Sequence, residues 1–521
     1  MKLDRLQSLE IELSHISLPD NVEYLIIASY TYSGKIALIY KDKNDPKAKD
    51  WFSIAIVDDN GDKFKKIYSG YIKIPKKSNG LRILPFQDNT KLLLGDYILE
   101  CSPNVDNCVK SNLVKLYYPK FLDLHPLLWL RWSEVIVSPD NVHVCWTTLR
   151  KDFALNFIGK LKRKKGKYEI IDPQIISSFP NFKKVKDDFY IVNNDFRGGE
   201  VKQFVKGGRA ITLVGNLGRG IANSILQDLI SGEVKAITNS PGYDETTIFS
   251  PDEKLGIVMS TRFSPKTNMA ILGLLPRPYS WLILNNLIMS VYLYAIQGVR
   301  FFRKGNIGPV LIDLERSMND ENYKGISLAD PEENWVYCSP ISWHPSSQKA
   351  IWMEMLRGNR IKMKIKKLEI KGYSPDKEPP IVGTPDKIPY SIKGIKAILK
   401  YFIPIKEKDK IKIAGKSSGY IEYKKEFVNH QGISKELNYF SFSDDGKNIY
   451  NGIEKLLQTQ KELIYEANLL VEGEEKGEMK LKLKFNLDFI NENTIVKLDK
   501  KESYGYAKYK NIIIKMEDME E

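Results

Sequence analysis

A short pattern of strand, tight turn and strand recurs along this chain and restricts its fold more than any other feature. In each copy an apolar or alternating run ends in a turn rich in Pro, Asp, Gly or Asn, and a second run follows. Pro presets φ in such turns, Asp caps them with its side chain, and Gly or Asn tolerates positive φ. The copies are FQDNTKLLLGDY (86–97), EVIVSPDNVHVCWT (134–147), KQFVKGGRAITLVG (202–215), TIFSPDEKLGIVMS (247–260), ISWHPSSQKAIWME (341–354) and YFSFSDDGKNIYNG (439–452).

A second pair of strand-like runs follows each copy, so the repeating unit predicts a four-stranded sheet. Successive turns lie about 45–67 residues apart up to Asp252, a spacing typical of β-propeller blades. A longer gap then contains the most apolar run of the chain, SWLILNNLIMSVYLYAIQGV (280–299). We predict an all-β protein whose β-propeller has six to eight blades and a helical insertion at about 277–330.

The stretches SPDN, SPDE and SDDG, each followed by an apolar strand, resemble the repeat of TolB-type β-propellers. The resemblance covers about 120–375 and implies the fold only, because one fold hosts many functions. Asn141 and Glu253 stand where this repeat usually has Gly. We expect an altered turn at Glu253, because a non-Gly residue at positive φ is strained.

Four longer segments resemble the fungal saponin-hydrolase-like proteins, which are glycosidases that release a triterpene aglycone. This resemblance implies hydrolysis of a glycoside with a bulky apolar (triterpenoid or aryl) aglycone. The segments are NSPGYDETTIFSPDEKLGIVMSTRFSP (239–265), GVRFFRKGNIGP (298–309), SPISWHPSSQKAIWMEMLRG (339–358) and YFSFSDDGKNIYNGIE (439–454).

The composition changes near residue 360 and indicates two domains. Every Arg lies at or before Arg360, every Trp at or before Trp352 and every Cys at or before Cys338. The segment 371–406 is rich in Pro, and several alternating runs follow it. We therefore predict three parts. They are a β-propeller over 1–375, a linker or crossover over 376–406, and a C-terminal antiparallel β-barrel or sandwich over 407–521. Alternatively, SDDG marks a last blade and the C-terminal domain is smaller.

The net charge of +14 does not indicate a nucleic-acid partner, because 64 of the 79 basic residues are Lys and they are spread over the chain. The apolar run 280–299 contains Asn285, Asn286 and Gln297, whose amides are costly in a bilayer. We expect buried helices and no membrane span. The oligomeric state stays open.

The first residues lack the apolar core of a signal peptide. This favours a cytoplasmic protein, or a secreted one from which a signal peptide has been trimmed. Of the four Cys, Cys101 and Cys108 stand at a spacing that allows a small disulfide, with free thiols in a reducing compartment as the alternative. No Cys or His spacing supports a metal site, and no cofactor is expected.

Residues just before the innermost strand of each blade should converge at one funnel. Two carboxylates facing each other there suit glycoside hydrolysis, in which one protonates the leaving oxygen and the other attacks or activates water. Aromatic rings can stack on sugar faces. The candidate catalytic residues are Asp244, Glu245, Glu134 and Glu200. The candidate substrate-binding residues are Trp132, Arg131, Tyr243, Arg262, Trp343, His344, Glu354 and Arg357.

Each candidate also has a structural interpretation. Asp244 or Glu245 can be a loop carboxylate or strand cap, Glu134 can pair with Arg131, and His344 can be a plain turn residue. The motif GKSSG (415–419) is not a nucleophile elbow, because a strand-like run follows it instead of a helix. Two functions remain: a hydrolase of a small-molecule glycoside in the funnel, or a non-catalytic propeller scaffold that binds a protein or peptide.

Overall fold

Among the described residues, six antiparallel units follow one another along the chain, and the first strands of all six line a central cavity. Four of them are separate four-stranded sheets, and the second and third are joined by a short parallel pairing, Tyr168 opposite Leu116. These units are the blades of a β-propeller, so the predicted all-β propeller is confirmed. The computed structural model describes residues 5–74, 81–119, 130–131, 135–149, 154–177, 182–185, 188–191, 198–264, 268–305, 307–329, 334–394, 396–397, 409–428, 432–490 and 493–519.

The first three blades occupy the chain up to residue 175. Blade 1 has strands Val22–Tyr30, Ile36–Asp42, Trp51–Val57 and Lys65–Tyr71. Blade 2 has strands Ile83–Pro85, Lys91–Leu94, Tyr97–Ser102 and Lys110–Tyr117. Blade 3 has a first strand in two pieces, Leu130–Arg131 and Ile136–Val137, then His143–Leu149, Ala154–Lys164 and Lys167–Ile175. A separate hairpin, Phe182–Val185 and Asp188–Ile191, precedes blade 4.

The last three blades extend to residue 371. Blade 4 has strands Glu200–Val205, Ala210–Gly215, Asn223–Asp228 and Val234–Ala236. Blade 5 has strands Asp244–Phe249, Leu255–Ser260, Pro309–Asp313 and Ile326–Ser327. Blade 6 has strands Trp335–Trp343, Lys349–Leu356 and Asn359–Lys371, and its fourth strand is Glu10–Ile16 from the other end of the propeller. This pairing, from Glu10 opposite Lys371 to Ile16 opposite Ile365, closes the ring of blades.

The turn after the inner strand has the same form in several blades. Its fourth residue has positive φ and donates its backbone N–H to the carbonyl of the first, as in Ser250–Glu253 and Ser138–Asn141, both at 2.9 Å. Glu253 adopts φ 53°, so the turn keeps its form and the expected alteration is wrong. The Glu253 carboxylate accepts the backbone N–H of Lys206 in blade 4, a contact that offsets the strain.

The helical insertion lies within blade 5 and is shorter than predicted. An α-helix over Trp281–Tyr292 continues through a π-helical turn, Leu293–Gln297, into a last α-helical turn, Gly298–Phe301. We call Trp281–Phe301 the insertion helix. Residues 309–327, predicted as part of the insertion, instead contain two strands of blade 5 and a short helix, Leu314–Asn319. Short 3₁₀ turns lie at Lys206–Gly208, Ala270–Leu272 and Glu517–Met519.

The insertion helix is long and apolar enough to cross a membrane by length and composition. Its most apolar window has mean hydropathy 1.5 and is 61% buried inside the protein. Among the described residues no other helix is both long and apolar enough to cross a membrane. Asn286 donates its amide to Gln458 at 2.7 Å, and its carbonyl accepts Nζ of Lys435 at 2.9 Å. The helix is therefore packed as a core element against the C-terminal part of the chain.

One antiparallel sheet of nine described strands follows the propeller, as predicted for an antiparallel C-terminal domain. Eight strands pair one after another, and the ninth, Asn493–Leu498, pairs with Gly477–Ile490. The side chains of the sheet alternate, so Tyr465, Ala467 and Leu469 are buried while their neighbours are exposed. Rings from this face pack against the insertion region, Tyr294 on Phe485 and Tyr279 on Phe442. The strands are Lys410–Ala414, Ser418–Val428, Gly432–Ser443, Asn448–Gln458, Glu462–Gly473, Gly477–Ile490, Asn493–Leu498, Tyr504–Tyr509 and Ile512–Lys515.

The SDDG turn belongs to this sheet, so the alternative that it marks a last blade is wrong. It joins Gly432–Ser443 to Asn448–Gln458, which pair with each other and with no propeller strand among the described residues. Asp445 accepts the backbone N–H groups of Lys447 and Asn448, at 2.8 and 2.9 Å. The turn chemistry of the repeat therefore recurs in a different sheet.

A segment with little regular structure, residues 372–394, crosses the turn face of the propeller, and we call it the strap. The backbone N–H groups of Val382 and Gly383 donate to the carbonyl of Gly207, at 3.1 and 3.0 Å. The N–H of Thr384 donates to Asp140 at 3.0 Å. The strap ends at Ile392–Lys393, which pairs with the last strand of blade 3. It thus bridges several blades.

Tyr373→Phe should loosen the strap, because its hydroxyl donates to the buried carboxylate of Asp252 in blade 5. A hydrogen bond to a charged group contributes about 1.5–3 kcal/mol, so we expect a loss of that size in the free energy of unfolding, measured by urea titration. The control is Tyr71→Phe, which removes a bond to Asp50 on the exposed surface. Equal losses in both variants would contradict a structural role for the strap contact.

Candidate functional site

Two carboxylates approach one ammonium group at the start of the inner strands of blades 4 and 5. Nζ of Lys202 lies 2.9 Å from Oε2 of Glu200 and 3.7 Å from Oε1 of Glu245. The three side chains are only 10–16% exposed. We call these residues, with Tyr243, Tyr292 and Arg300, the entrance cluster. Its inner-strand members lie before the turn, where the repeat predicts a funnel.

Local irregularities in both strands set the direction of these side chains. Lys202 is the extra residue of a β-bulge, between the pairs Val201–Leu213 and Gln203–Thr212. A second bulge follows Glu245 in blade 5, where Thr246 has φ 37°. Bulges re-aim side chains and are frequent beside active sites. They explain why the two strands present charged groups towards each other.

Aromatic hydroxyls and a cation complete the entrance cluster. The Tyr243 hydroxyl donates to Oε2 of Glu245 at 3.1 Å, and burial together with the Glu245 charge raises the pKa of Tyr243 well above its ordinary value. Burial raises the pKa of Tyr292 as well, and Arg300 opposes that shift. Burial alone would lower the pKa of Arg300, but nearby groups, Glu245 among them, outweigh it and raise it. The entrance cluster therefore contains two carboxylates, Glu200 and Glu245, and two cations, Lys202 and Arg300, whose charges balance.

The insertion helix supplies Tyr292 and Arg300 to the cluster. The Gln297 amide donates to the Tyr292 hydroxyl at 2.7 Å, and Nε of Arg300 donates to the carbonyl of Tyr337 at 3.2 Å. The π-helical turn between them changes the spacing at which side chains share a face. Such turns are frequent at functional sites. The helix therefore acts as a cover over this end of the propeller.

The central cavity, of about 250 Å³, extends from the cluster to the strap. Lys202 lines it, as do Tyr30 of blade 1, Ile136 of blade 3 and Trp343 of blade 6. Glu378 and its neighbours Pro379 and Ile381 line it at the turn face. Burial raises the pKa of Glu378. The channel is therefore bounded by the entrance cluster at one end and by the strap at the other.

Asp244, although adjacent to Glu245, is enclosed in blade 5. Its side chain is fully buried and contacts Nη2 of Arg262 at 2.6 Å, while the Ser260 hydroxyl donates to it at 2.5 Å. Arg262 also donates to the carbonyls of Tyr323 and Lys324, both at 3.2 Å. Asp244 and Arg262 thus form a closed structural pair, and the structure does not bring them to the entrance cluster.

Four other predicted binding residues are dispersed over blade 6. Trp343 donates its indole N–H to the carbonyl of Ile248 at 3.0 Å and borders the central cavity. His344 is a turn residue whose ring packs on Tyr30. Glu354 is buried beside a smaller cavity, between blades 5 and 6. Arg357 donates to the carbonyls of Val299, in the last turn of the insertion helix, and of Arg303, just beyond its end.

The remaining predicted residues belong to blade 3. Glu134 and Trp132 lie outside the described residues. Arg131 is in the strand Leu130–Arg131, opposite Thr148. Their predicted roles therefore stay predictions.

Sequence reasoning placed Lys202 beside Glu200 at the funnel without giving it a role, and it did not assign Tyr292 or Arg300 to the site. One sequence signal could have indicated Tyr292 and Arg300. Together with Gln297 they are polar residues within an apolar helix, but their spacing does not place them on one face of a regular α-helix. A π-helical turn reconciles these spacings, but sequence periodicity does not reveal it.

In the part of the chain that the structure describes, no group of three or more His, Cys, Asp or Glu side chains is placed to hold a metal ion. All four cysteines are free thiols. Burial, with the neighbouring Cys108, raises the pKa of the Cys101 thiol. In the structure Cys101 and Cys108 are therefore free thiols and do not form a disulfide.

No family model and no curated protein matches the sequence. Solved structures that it resembles include TolB from Acinetobacter baumannii, with TM-score 0.30 and 12% identity over 67% of this chain and 65% of that one. An oligogalacturonate lyase in complex with manganese has TM-score 0.36 and 10% identity over 70% and 97%. The β-propeller domain of the Trilobed protease from Pyrococcus furiosus has TM-score 0.32 and 8% identity over 71% and 99%. TolB and enzymes thus both occur among similar propellers, and at these scores the likeness carries no functional argument.

Asp244→Asn should destabilise the propeller, because it leaves the buried Arg262 without its charge partner. Breaking a buried ion pair on one side costs about 3–5 kcal/mol, and we expect a loss of this size in urea unfolding. Asp58→Asn is the control, since Asp58 pairs with Lys35 and Lys63 at the surface. An Asp244→Asn protein as stable as the control would show that the pair has no structural role.

Proposed function

We propose that the protein is a hydrolase that cleaves a polar glycoside at the entrance of the propeller channel. The observation that carries the proposal is the shared approach of Glu200 and Glu245 to Lys202, at 2.9 and 3.7 Å. These two contacts keep the carboxylates within roughly 7 Å of each other, in the range of about 5–10 Å found for glycosidase pairs. Both side chains come from inner strands, so rigid elements hold them.

The two carboxylates differ in their surroundings, which suggests different roles. One member of such a pair protonates the leaving oxygen, while the other attacks the sugar or activates water. Glu200 lies closer to the Lys202 ammonium, at 2.9 Å, and we assign the second role to it. Glu245 lies farther from it and is oriented by the Tyr243 hydroxyl at 3.1 Å, so we assign the acid role to Glu245.

The surroundings of the cluster favour a polar substrate. The apolar residues of the insertion helix, such as Leu287 and Val291, are buried in the core shared with the C-terminal sheet. Tyr292 and Arg300 are the residues that it adds to the entrance. A bulky apolar aglycone, implied by the resemblance to saponin-hydrolase-like proteins, would meet little apolar surface there. We therefore propose a glycoside with hydroxyl or acidic groups.

Glu200→Gln and Glu245→Gln should each lower glycoside turnover by at least about 10²-fold, because general acid–base groups contribute about 10²–10⁴-fold. Turnover is measured by mass spectrometry of sugars released from a mixed pool of polar and aryl glycosides. Glu233→Gln, an exposed pair with Lys235, is the matched control.

The result that supports the proposal is release by the wild type and the control but by neither cluster variant, at unchanged melting temperatures. Release by all four proteins would discard this carboxylate pair. Absence of release by the wild type would discard glycoside hydrolysis.

A second candidate, a scaffold that binds a protein, is favoured by a different observation. Both ends of the channel are covered, and the outer face of the C-terminal sheet exposes Phe440, Leu470 and Tyr504. Apolar residues of this kind on one face suit a protein partner. If this function holds, a pull-down with the wild type should recover a partner that Leu470→Ser does not, and Glu245→Gln should recover it fully.

A further inference from the structure

A second cavity, of about 220 Å³, lies between blades 5 and 6 and is separate from the central cavity. Its walls include Trp335, Tyr337 and Glu354 of blade 6 and Ser327 of blade 5. Tyr337 and Glu354 are opposite each other in adjacent antiparallel strands, so their side chains share one face of the blade. Lys366, from the next strand, also lines the cavity. We call this cavity the interblade pocket.

Two buried polar atoms of the interblade pocket make no hydrogen bond. Tyr337 is 3%, Glu354 4% and Lys366 8% exposed. The Tyr337 hydroxyl and Oε2 of Glu354 make no hydrogen bond. Lys366 lines the same cavity and adds a positive charge to its wall. Buried polar groups are normally satisfied, so two buried atoms without a hydrogen bond beside one cavity indicate a place for a bound molecule.

The charges around the pocket restrict what this molecule can be. Oε1 of Glu354 accepts the indole N–H of Trp352 at 3.3 Å. Nζ of Lys364 lies 3.3 Å from Oε2, and His15, partly exposed, lies 3.6 Å from it. Lys364 thus balances the Glu354 charge without an aligned hydrogen bond. Burial, reinforced by the neighbouring lysines, lowers the pKa of His15, which favours its neutral form. Because Lys364 balances Glu354, Lys366 is a further positive charge at the wall of the pocket.

We infer that the interblade pocket binds a small hydroxycarboxylate. Its carboxylate compensates the charge of Lys366 and accepts the Tyr337 hydroxyl proton. A hydroxyl of the same molecule donates to Oε2 of Glu354. An amino acid fits less well, because its zwitterion brings no net negative charge to Lys366. The pocket is smaller than the about 300–1,000 Å³ of drug-sized sites, which suits a molecule of this size.

The interblade pocket opens to the surface and is distinct from the central cavity. Leu13, which lines the pocket, is an exposed residue of the strand that closes blade 6, so the pocket reaches the surface there. Glu200, Lys202 and Glu245 are not among the lining residues. Arg300 of the entrance cluster donates to the carbonyl of Tyr337, so the two sites are neighbours, but neither candidate catalytic carboxylate lines the pocket.

The test is isothermal titration of the full chain with four probes: glycerate, propionate, glycerol and serine. Glycerate has both the carboxylate and the hydroxyls, propionate lacks the hydroxyls, glycerol lacks the charge, and serine adds an ammonium. We expect glycerate to bind at least tenfold more tightly than the other three. Lys366→Met should abolish glycerate binding, and Tyr337→Phe should weaken it severalfold.

Lys362→Met, an exposed lysine on the same strand, is the matched control and should bind glycerate like the wild type. The double variant Glu200→Gln/Glu245→Gln should also bind normally, whether or not it hydrolyses glycosides. Equal binding of glycerate by Lys366→Met and Lys362→Met would overturn the assignment. Absence of glycerate binding by the wild type would mean that water alone occupies the pocket, and would overturn it too.

Discussion

A buried ion pair joins the propeller to the C-terminal sheet, and the position of the insertion helix depends on it. Arg277, just before the helix, and Glu454, in the sheet, are both fully buried, with Nε and Oε2 3.6 Å apart. The hydroxyls of Tyr439 and Tyr465 donate to the Glu454 carboxylate at 2.8 and 2.7 Å. Pairs of this kind cost desolvation energy, so we infer that this one specifies a docking geometry more than it adds stability.

This geometry determines what stands over the channel. With one side of the insertion helix packed against the C-terminal sheet, the side bearing Tyr292 and Arg300 faces Glu245. At the other end of the channel, the strap uses the turn aspartates Asp140 and Asp252 as acceptors. Segments outside the blades therefore cover both ends of the cavity. The blade repeat places the ends of the inner strands around the channel, and the insertion helix and the strap enclose them.

The blades could be predicted from the sequence because their turns depend on local chemistry alone. The same chemistry at Asp445 recurs in another sheet, so a local pattern does not reveal which sheet a hairpin joins. The site was harder to predict. Asp244 and Glu245 are adjacent, but successive side chains of a strand point to opposite faces, so one is enclosed with Arg262 and the other reaches Lys202. Arg262 and Lys202 lie on other strands, and a single sequence does not show which residues of two strands come to lie side by side.

The central claim is that the insertion helix couples the C-terminal sheet to the channel entrance as one cooperative unit. Differential scanning calorimetry compared with tryptophan fluorescence tests it most directly, because every Trp lies at or before Trp352, within the propeller and its insertion. We predict a single calorimetric transition that coincides with the fluorescence transition. Two separated transitions, with fluorescence following only one, would contradict the claim and leave the entrance cluster without a fixed cover.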